Sequence, residues 1–107
     1  MLAEITNAVR ESGKIARVIA LTGAGQDLGA GANPADTDLE RTLKDEYMPM
    51  SEAIATRRIP TIASMNGPAA VAGANLAPAA DVVIGAESTY LLQAFARLGL
   101  ISDVGGT

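Results

Sequence analysis

Residues 60–80 read PTIASMNGPAAVAGANLAPAA, and they join a strand pattern, a turn and a small-residue helix pattern without interruption. Pro60 to Met65 has the short apolar run of a buried strand. The Asn66-Gly67-Pro68 tripeptide that follows is a strong turn signal. Residues 69–80 are almost all small and apolar, which indicates a buried helix packed closely against its neighbours. The stretch therefore predicts a strand–turn–helix unit of the kind from which α/β folds are built.

The rest of the chain continues this alternation of helices and strands. The other predicted elements, in chain order, are a helix over residues 2–12 that ends near Gly13, a strand from Ile15 to Leu21, a loop over residues 23–35, a long helix before residue 60, a strand from Asp81 to Ile84, a short strand from Thr89 to Leu92 and a helix from Gln93 to Leu98. The order α-β-α-β-α-β-β-α is typical of an α/β fold, a layered sheet with helices and parallel strand pairing. The sequence shows no internal repeat and no linker, so we expect a single domain over residues 1–107.

The long helix is amphipathic but contains a proline. Its apolar residues recur every three or four positions, at Leu39, Leu43, Tyr47, Met50 and Ile54. That spacing places them on one face of a helix. Pro49 lies among them, and a proline removes a helical hydrogen bond and crowds the preceding turn. The sequence therefore predicts a kink or a break at Pro49.

Composition excludes several kinds of chemistry. The 107 residues are 49% hydrophobic and 19% charged, with no cysteine and no histidine. Such a chain can form a core, but it has no disulfide, no thiol nucleophile and no Ser-His-Asp triad, and it lacks the usual zinc ligands. Any acid–base catalyst must be a carboxylate, a lysine or a tyrosine. We therefore expect no metal site.

Charge and hydropathy restrict the partners and the location. The net charge is −4 and Arg57-Arg58 is the only adjacent basic pair, which disfavours nucleic-acid binding. No apolar run approaches the ~20 residues of a membrane span. Glu4 precedes any cationic region, unlike the start of a signal peptide. We expect a cytoplasmic protein whose partners include neither nucleic acid nor membrane.

The loop after the first strand is rich in glycine. Gly23, Gly25, Gly29 and Gly31 follow the strand, but the G-x-G-x-x-G spacing of dinucleotide-binding loops fails because Leu28 stands where the third glycine is needed. No Gly-Lys-Ser/Thr sequence follows, which also excludes a Walker loop. From residue types alone, an ordinary surface loop is the favoured interpretation.

The segment from Asn66 to Asn75 has two interpretations. Small side chains would let a ligand approach the backbone, and the N–H groups at a helix N-terminus favour developing negative charge. Tight packing of the helix explains the same composition without a ligand. From residue types alone, tight packing is the favoured interpretation.

Five motifs in the correct order resemble those of a known family. They are Leu21-Thr22-Gly23-Ala24-Gly25 with Gly31-Ala32-Asn33, the stretch Ile59–Ala69, Gly73 with Leu76 and Asp81, Glu87-Ser88-Thr89, and Leu98-Gly99-Leu100 with Asp103 and Gly105-Gly106-Thr107. They are similar to the LTGxG…AGAD, KPvIAAvNGpA, GgGxxLAlacD and GLxPDxGGT motifs of the enoyl-CoA hydratase/isomerase (crotonase) family. The resemblance covers essentially the whole chain without obvious gaps. It implies a partial crotonase-like core, a ββα superhelix.

The resemblance implies a backbone oxyanion hole for an acyl-CoA thioester. In the family, two main-chain N–H groups bind the thioester carbonyl, and removal of a neighbouring proton gives a stabilised enolate. Carried over by position, the donors are the N–H groups of Ala32 and Ala72, and the acyl-CoA is the substrate, with no cofactor. The implied substrate-binding residues are Gly31, Ala32, Asn33, Val71, Ala72, Asn75 and Phe95. Val71 departs from the family, which usually has glycine there, and its β-branched side chain could crowd the thioester or shift the turn.

The resemblance also implies which acid transfers the proton. Hydratases of the family place glutamates where this chain has Asn75 and Phe95, so hydration by two carboxylates is disfavoured. Many isomerases instead use an acid at the position of Asp103, and residues 93–100 are similar to the branch of 1,2-epoxyphenylacetyl-CoA isomerases. An apolar pocket raises the pKa of a carboxylate toward such a role. The alternative for Asp103 is a solvated acid in a turn beside Gly105. With the resemblance, the catalytic interpretation is favoured.

The resemblance also indicates what the chain lacks. Whole members of the family are more than twice as long, and their first strands and C-terminal part have no counterpart here, so we expect a truncated chain or a fragment. Pro78 falls inside the small-residue helix, where it removes one hydrogen bond. A shortened sheet leaves open edges and apolar faces, which predicts self-association as a homo-oligomer or binding to a partner chain. The alternative to an enzyme is an inactive structural or acyl-CoA-binding fragment that self-associates.

Overall fold

The computed structural model describes residues 2–29, 38–99 and 101. Its contacts group the chain into two compact units. The helical unit comprises Met1–Ile19 and Asn33–Pro60, and the sheet unit comprises Ala20–Ala32 and Thr61–Thr107. The single domain over residues 1–107 stays a prediction.

The described elements alternate as the sequence predicts, with differences at their ends. They are, in chain order, α1 Leu2–Ile15, β1 Ile19–Thr22, α2 Leu39–Thr42, a π-helical turn Leu43–Tyr47, α3 Met48–Ala55, β2 Thr61–Met65, β3 Ala69–Ala70, α4 Ala72–Leu76, β4 Val82–Gly85, β5 Leu91–Leu92 and a 3₁₀ turn Phe95–Leu98. Strand β2 pairs with β4 in parallel, and β3 pairs with β5 in parallel. The predicted α/β class with parallel pairing is confirmed.

Helix α1 begins the helical unit and runs further than the sequence predicts. Gly13 does not end the helix, because the Ala16 N–H still donates to the Ser12 carbonyl at 2.8 Å. Glycine inside a helix costs only about 1 kcal/mol relative to alanine, which neighbouring turns can offset. Ile15, expected to start a buried strand, lies in the last turn of α1 and is 88% exposed. The strand begins four residues later, at Ile19, so this predicted boundary was wrong.

Helices α1 and α3 pack against each other within the helical unit. Helix α1 buries Thr6 and Val9, and α3 buries Met50, Ala53 and Ile54. Of the apolar face predicted for the long helix, Tyr47, Met50 and Ile54 are buried, whereas Leu43 is 39% exposed. Among the residues that the structure describes, no helix has both the length and the apolar content needed to cross a bilayer.

Pro49 changes the helix type without ending the helix. Because proline has no N–H, it cannot donate to the carbonyl of Asp45. The residues before it form the π-helical turn, in which the Met48 N–H donates to the Leu43 carbonyl, five residues back. Pro49 then occupies the first turn of α3, where a missing N–H leaves no helical bond unmade. The predicted break is therefore absent, and the distortion is confined to one turn.

The sheet unit is built around β2, which lies between β1 and β4 in a three-stranded sheet. The register of β2 on β4 runs from Ile62 to Met65. Thr61 fixes the start of the strand, because its N–H donates to Asp81 Oδ2 at 2.8 Å and its carbonyl accepts from the Asp81 N–H at 2.9 Å. The two predicted strands that form this pair, β2 and β4, are confirmed.

One side of the sheet unit is a core of small residues and the other is an open apolar edge. The buried cluster comprises Ala63, Met65, Ala69 and Ala77, with Leu28 and Ala80 packed against it. In β4, by contrast, Val82 is 50%, Val83 46% and Ile84 58% exposed. Within the described residues β4 pairs with β2 alone, so it is an apolar edge strand.

The small-residue helix is shorter than predicted. Ala69 and Ala70 form β3 instead of a first helical turn, because the Ala69 N–H donates to the Tyr90 carbonyl at 3.0 Å. Helix α4 covers only Ala72–Leu76, and turns follow it to residue 80. Pro78 lies in these turns, where its missing N–H opposes continuation of the helix. Local composition could not reveal the strand, because its partner is distant in sequence.

Candidate active site

Two segments of the sheet unit meet where β1 and β2 end. We call residues 23–29 the glycine-rich segment and residues 66–76 the small-residue segment. The Asn66 side-chain amide donates from Nδ2 to the carbonyl of Gly23 at 3.4 Å and to the carbonyl of Gly25. The first residue after β2 is thus bound to the segment that leaves β1.

Main-chain hydrogen bonds extend this contact. The Leu28 N–H donates to the Pro68 carbonyl at 3.1 Å, and the Ala70 N–H donates to the Gly29 carbonyl at 3.0 Å. Leu28 and Gly29 are half-buried, whereas residues 24–27 are exposed. The ordinary surface loop expected here therefore describes residues 24–27 and is wrong for Leu28 and Gly29.

The two segments approach so closely that side chains are excluded between them. A Cβ at Gly73 would lie 2.9 Å from the Leu28 carbonyl oxygen and 3.2 Å from that of Gly29. A Cβ at Gly67 would overlap the carbonyl oxygen of Gln26. Tight packing, the interpretation favoured from residue types, therefore accounts for both glycines.

Val71 turns the chain from β3 into α4 in a conformation that suits glycine. Its φ is 53° and its ψ is −115°, and it is the one non-glycine residue with positive φ among those described. A β-branched residue rarely adopts positive φ. The Val71 N–H donates to the Leu92 carbonyl at 2.9 Å, and its own carbonyl accepts from the Ala74 N–H at 3.1 Å. Val71, which stands where the resembled family usually has glycine, thus lies at a strained position.

Three further predicted site residues lie in described parts of the sheet unit. Ala72 is the first residue of α4, so its main-chain N–H lies at the start of that helix. Asn75 is 7% exposed, and its Oδ1 accepts a hydrogen bond from Gln93 Nε2. Phe95 is 6% exposed and begins the 3₁₀ turn. Sequence reasoning missed Gln93, because its contact with Asn75 depends on the pairing of β3 with β5.

The remaining predicted site residues lie outside the described part of the chain. They are Gly31, Ala32 and Asn33, from the proposed first half of the oxyanion hole, and Asp103, the proposed acid. The convergence of the Ala32 and Ala72 amides, and the role of Asp103, therefore stay predictions.

A family model described as enoyl-CoA hydratase/isomerase matches residues 1–107. The chain belongs to this family. The resemblance drawn from the motifs is thereby confirmed, including the crotonase family assignment.

Relatives within the enoyl-CoA hydratase/isomerase family match nearly the whole chain. A Rhodobacter capsulatus protein named "Probable enoyl-CoA hydratase" is 49% identical over 110 residues, which are 97% of this chain and 42% of the relative. The 1,2-epoxyphenylacetyl-CoA isomerase of Escherichia coli is 39% identical over 115 residues, 99% of this chain and 44% of the relative. This chain thus spans less than half the length of the relatives it matches.

Solved structures of the same family share the fold. An enoyl-CoA hydratase/isomerase from Mycobacterium paratuberculosis superposes with a TM-score of 0.83 at 30% identity, covering 95% of this chain and 45% of that one. An enoyl-CoA hydratase from Polaromonas superposes with a TM-score of 0.86 at 26% identity, covering 99% of this chain and 45% of that one. The crotonase-like fold expected from the resemblance is confirmed, in its partial form.

The small-residue segment of this enoyl-CoA hydratase/isomerase family member contains no acid. The carboxylates of the sheet unit are Asp27, Asp81, Glu87 and Asp103. Asp27 is exposed and accepts from the Gly29 N–H at 3.2 Å. Asp81 directly precedes β4 and accepts from the Thr61 N–H at the start of β2, and Glu87 is exposed in the turn after β4. Among the described residues, no three acids lie close enough together to hold a metal ion.

Proposed function

We propose that the protein binds an acyl-CoA thioester and stabilises its enolate with the main-chain N–H groups of Ala32 and Ala72. A proton leaves either the carbon next to the thioester carbonyl or a carbon that is conjugated with that carbonyl through the double bond. Negative charge then develops on the carbonyl oxygen. Asp103 accepts that proton and returns it to another carbon of the acyl chain. The double bond moves, and no other reactant is needed. The substrate is the CoA thioester itself, and the reaction requires no cofactor or metal.

The observation that carries this proposal is the main-chain contact between the two segments. The Gly29 carbonyl accepts from the Ala70 N–H at 3.0 Å. Ala32 follows Gly29 by three residues, and three residues span at most about 11 Å. Ala72 follows Ala70 by two residues. The two amides are therefore joined by short lengths of chain to a fixed contact, which supports a shared oxyanion site.

Main-chain amides suit this role because their position is set by backbone packing. A preorganised donor that meets the developing oxyanion contributes about 10²–10³ in kcat. The close approach at Gly73, where a Cβ would lie 2.9 Å from the Leu28 carbonyl oxygen, limits movement of the start of α4. Such restraint is what an oxyanion donor requires.

Asp103 is proposed as the acid because the family resemblance places an acid there, and two of the other carboxylates of the sheet unit, Asp81 and Asp27, are poorly suited. Asp81 is bound to the Thr61 N–H at the amino end of β2, and the five residues of β2 separate it from Asn66 by about 15 Å. Asp27 is exposed and hydrogen-bonded to its own segment. Glu87 lies near the end of the sheet at which Asn66 follows β2, so it is the matched comparison for Asp103.

The reaction proposed is isomerisation, not hydration. The positions at which hydratases of the family carry glutamates are Asn75 and Phe95 here, and neither side chain can act as a carboxylate base. The R. capsulatus relative is named a hydratase and the E. coli relative an isomerase. The residues of this chain favour the second activity.

The proposal is tested by the conversion of a β,γ-unsaturated hexenoyl-CoA to the α,β-conjugated thioester, followed by ultraviolet absorbance. The 107-residue chain should catalyse it, and Asp103→Asn should lower kcat by about 10²–10⁴ with little change in KM. Glu87→Gln, which removes an exposed carboxylate of the same unit, should leave kcat within about twofold. Equal activity of Asp103→Asn and the wild-type chain would refute the role of Asp103.

A second function is favoured by the open strand. Strand β4 exposes apolar side chains along its edge. An inactive acyl-CoA-binding or structural fragment that self-associates through this edge fits this observation. Titration calorimetry with hexenoyl-CoA that shows binding, together with an assay that shows no turnover, would favour this alternative. Ultracentrifugation that shows a stable monomer at micromolar concentration would exclude the self-association.

A further inference from the structure

The start of α4 is attached to β5 and the residue after it. The Val71 N–H donates to the Leu92 carbonyl at 2.9 Å. One helical turn later, Asn75 Oδ1 accepts from the side-chain amide of Gln93. Leu92, the last residue of β5, and Gln93, which follows it, thus hold the two sides of Ala72. Leu92 holds Val71, and Gln93 holds Asn75.

The first of these attachments acts on a strained residue. Val71 has φ 53° and ψ −115°, which a β-branched residue keeps only when its surroundings determine it. The Val71 N–H bond to Leu92 restrains one side of the Val71–Ala72 peptide. The Val71 carbonyl, which accepts from the Ala74 N–H, and the close approach at Gly73 restrain the same turn. Asn75 lies one helical turn beyond Val71 in the five-residue helix, where a second restraint adds to these.

The Gln93 side chain supplies the second restraint. Asn75 is 7% exposed, so loss of the Gln93 bond would leave this buried polar group with one hydrogen bond fewer. Gln93 is exposed, so burial of its own side chain does not explain why it points to Asn75. An uncharged donor is also compatible with enolate formation nearby, because it adds no negative charge to the site.

We propose that Gln93 is a positioning residue, which sets the direction of the Ala72 N–H by holding Asn75. This inference rests on the proposed function and assigns no catalytic contact to Gln93. Asn75 occupies the position of a hydratase glutamate. Paired with Gln93, Asn75 supports the oxyanion donor and does not act as a base.

Gln93→Met tests the proposal, because methionine keeps the side-chain length and lacks the N–H donor. In the 107-residue chain, kcat for isomerisation of β,γ-hexenoyl-CoA should fall about 10- to 100-fold, since small misplacement of a catalytic group has effects of that size. KM should change less than about threefold, because the donor acts mainly in the transition state. Ser88→Ala, at an exposed position of the same unit, should leave kcat and KM within about twofold.

Amide hydrogen exchange gives a readout that does not depend on activity. In Gln93→Met, the amides of Val71 and Ala74 should exchange about tenfold faster or more, because their bonds define the start of α4. The amide of Asp81, which donates to the Thr61 carbonyl elsewhere in the unit, should exchange at the wild-type rate. Faster exchange at all three amides would indicate general destabilisation and would overturn the positioning role.

A double substitution tests whether Gln93 acts through Asn75. When Asn75 is already changed to leucine, Gln93→Met should lower kcat by less than about twofold further, because the contact is already lost. An unchanged kcat for Gln93→Met in an active wild-type background would overturn the proposal. A wild-type chain with no turnover would instead refute the proposed function. Amide exchange at Val71 and Ala74 in Gln93→Met would then test the positioning contact, and wild-type exchange rates in that variant would overturn it.

Discussion

The Ala70 N–H donates to the Gly29 carbonyl at 3.0 Å, and this bond joins two segments that lie far apart in the sequence. Gly29 belongs to the segment that leaves β1, and Ala70 lies two residues before the start of α4. Two small-residue stretches, each uninformative when taken alone, thereby become one structural feature. The proposed oxyanion hole depends on this contact.

Gly73→Ala should destabilise the chain, because the added methyl group would lie 2.9 Å from the Leu28 carbonyl oxygen. We expect a loss of about 1–3 kcal/mol in the free energy of unfolding, measured by urea denaturation. Gly13→Ala is the matched control, since a Cβ at Gly13 meets nothing within 4 Å. That change should stabilise α1 by about 0.5–1 kcal/mol. Equal effects of the two substitutions would contradict the close approach at Gly73.

Val71→Gly should stabilise the turn before α4. Glycine adopts a φ of 53° without strain, whereas valine at such a position costs about 1–3 kcal/mol. The greater flexibility of glycine in the unfolded chain offsets about 0.5–1 kcal/mol of that gain. The net result should be an increase of about 1 kcal/mol in the free energy of unfolding. Val83→Gly, in the middle of β4, should lower it, and a lower value for Val71→Gly would contradict the strain.

Val83→Lys should weaken self-association, because it places a charge on the apolar edge strand β4. Val83 is 46% exposed, and Val18, before β1, is 47% exposed. The two valines thus allow a comparison at nearly equal exposure, one within β4 and one outside the strands. In sedimentation equilibrium, Val83→Lys should raise the dissociation constant about tenfold, and Val18→Lys should change it little. Equal effects would show that association does not involve β4.

Much of the fold could be predicted from local pattern. The apolar run from Thr61 to Met65 forms β2, and the turn signal beginning at Asn66 ends it. The alternation of helices and strands, which indicates parallel pairing, followed from the same reasoning, although β3 was not predicted. The positions of β2 and its turn depend on residues close together in the chain, which is why their sequence is informative.

Two predicted element boundaries were wrong, each for its own reason. Ala69 and Ala70 have helical composition but form β3, because the Tyr90 carbonyl is available to the Ala69 N–H. Gly13 has the residue type of a helix end, yet the helix continues past it. At Ala69 a hydrogen bond to a residue distant in sequence outweighed the local propensity, whereas at Gly13 local helical hydrogen bonds outweighed a propensity of about 1 kcal/mol. Nearest-neighbour patterns carry no information on the bond at Ala69.

The site was predicted less completely than the fold. The motifs identified the family and pointed to Val71, Ala72 and Asn75. The structure places Val71 and Ala72 at the start of α4 and Asn75 three residues further along the helix. They did not point to Gln93, because an exposed glutamine has no distinctive local signature. Its importance follows only from its contact with a buried asparagine.

The most direct test of the account is a crystal structure of the chain with a bound acyl-CoA that carries an enolisable thioester, such as acetoacetyl-CoA. The main-chain nitrogens of Ala32 and Ala72 should both lie about 2.7–3.1 Å from the thioester oxygen. Amides that point in different directions, or a thioester bound away from the start of α4, would contradict the central claim.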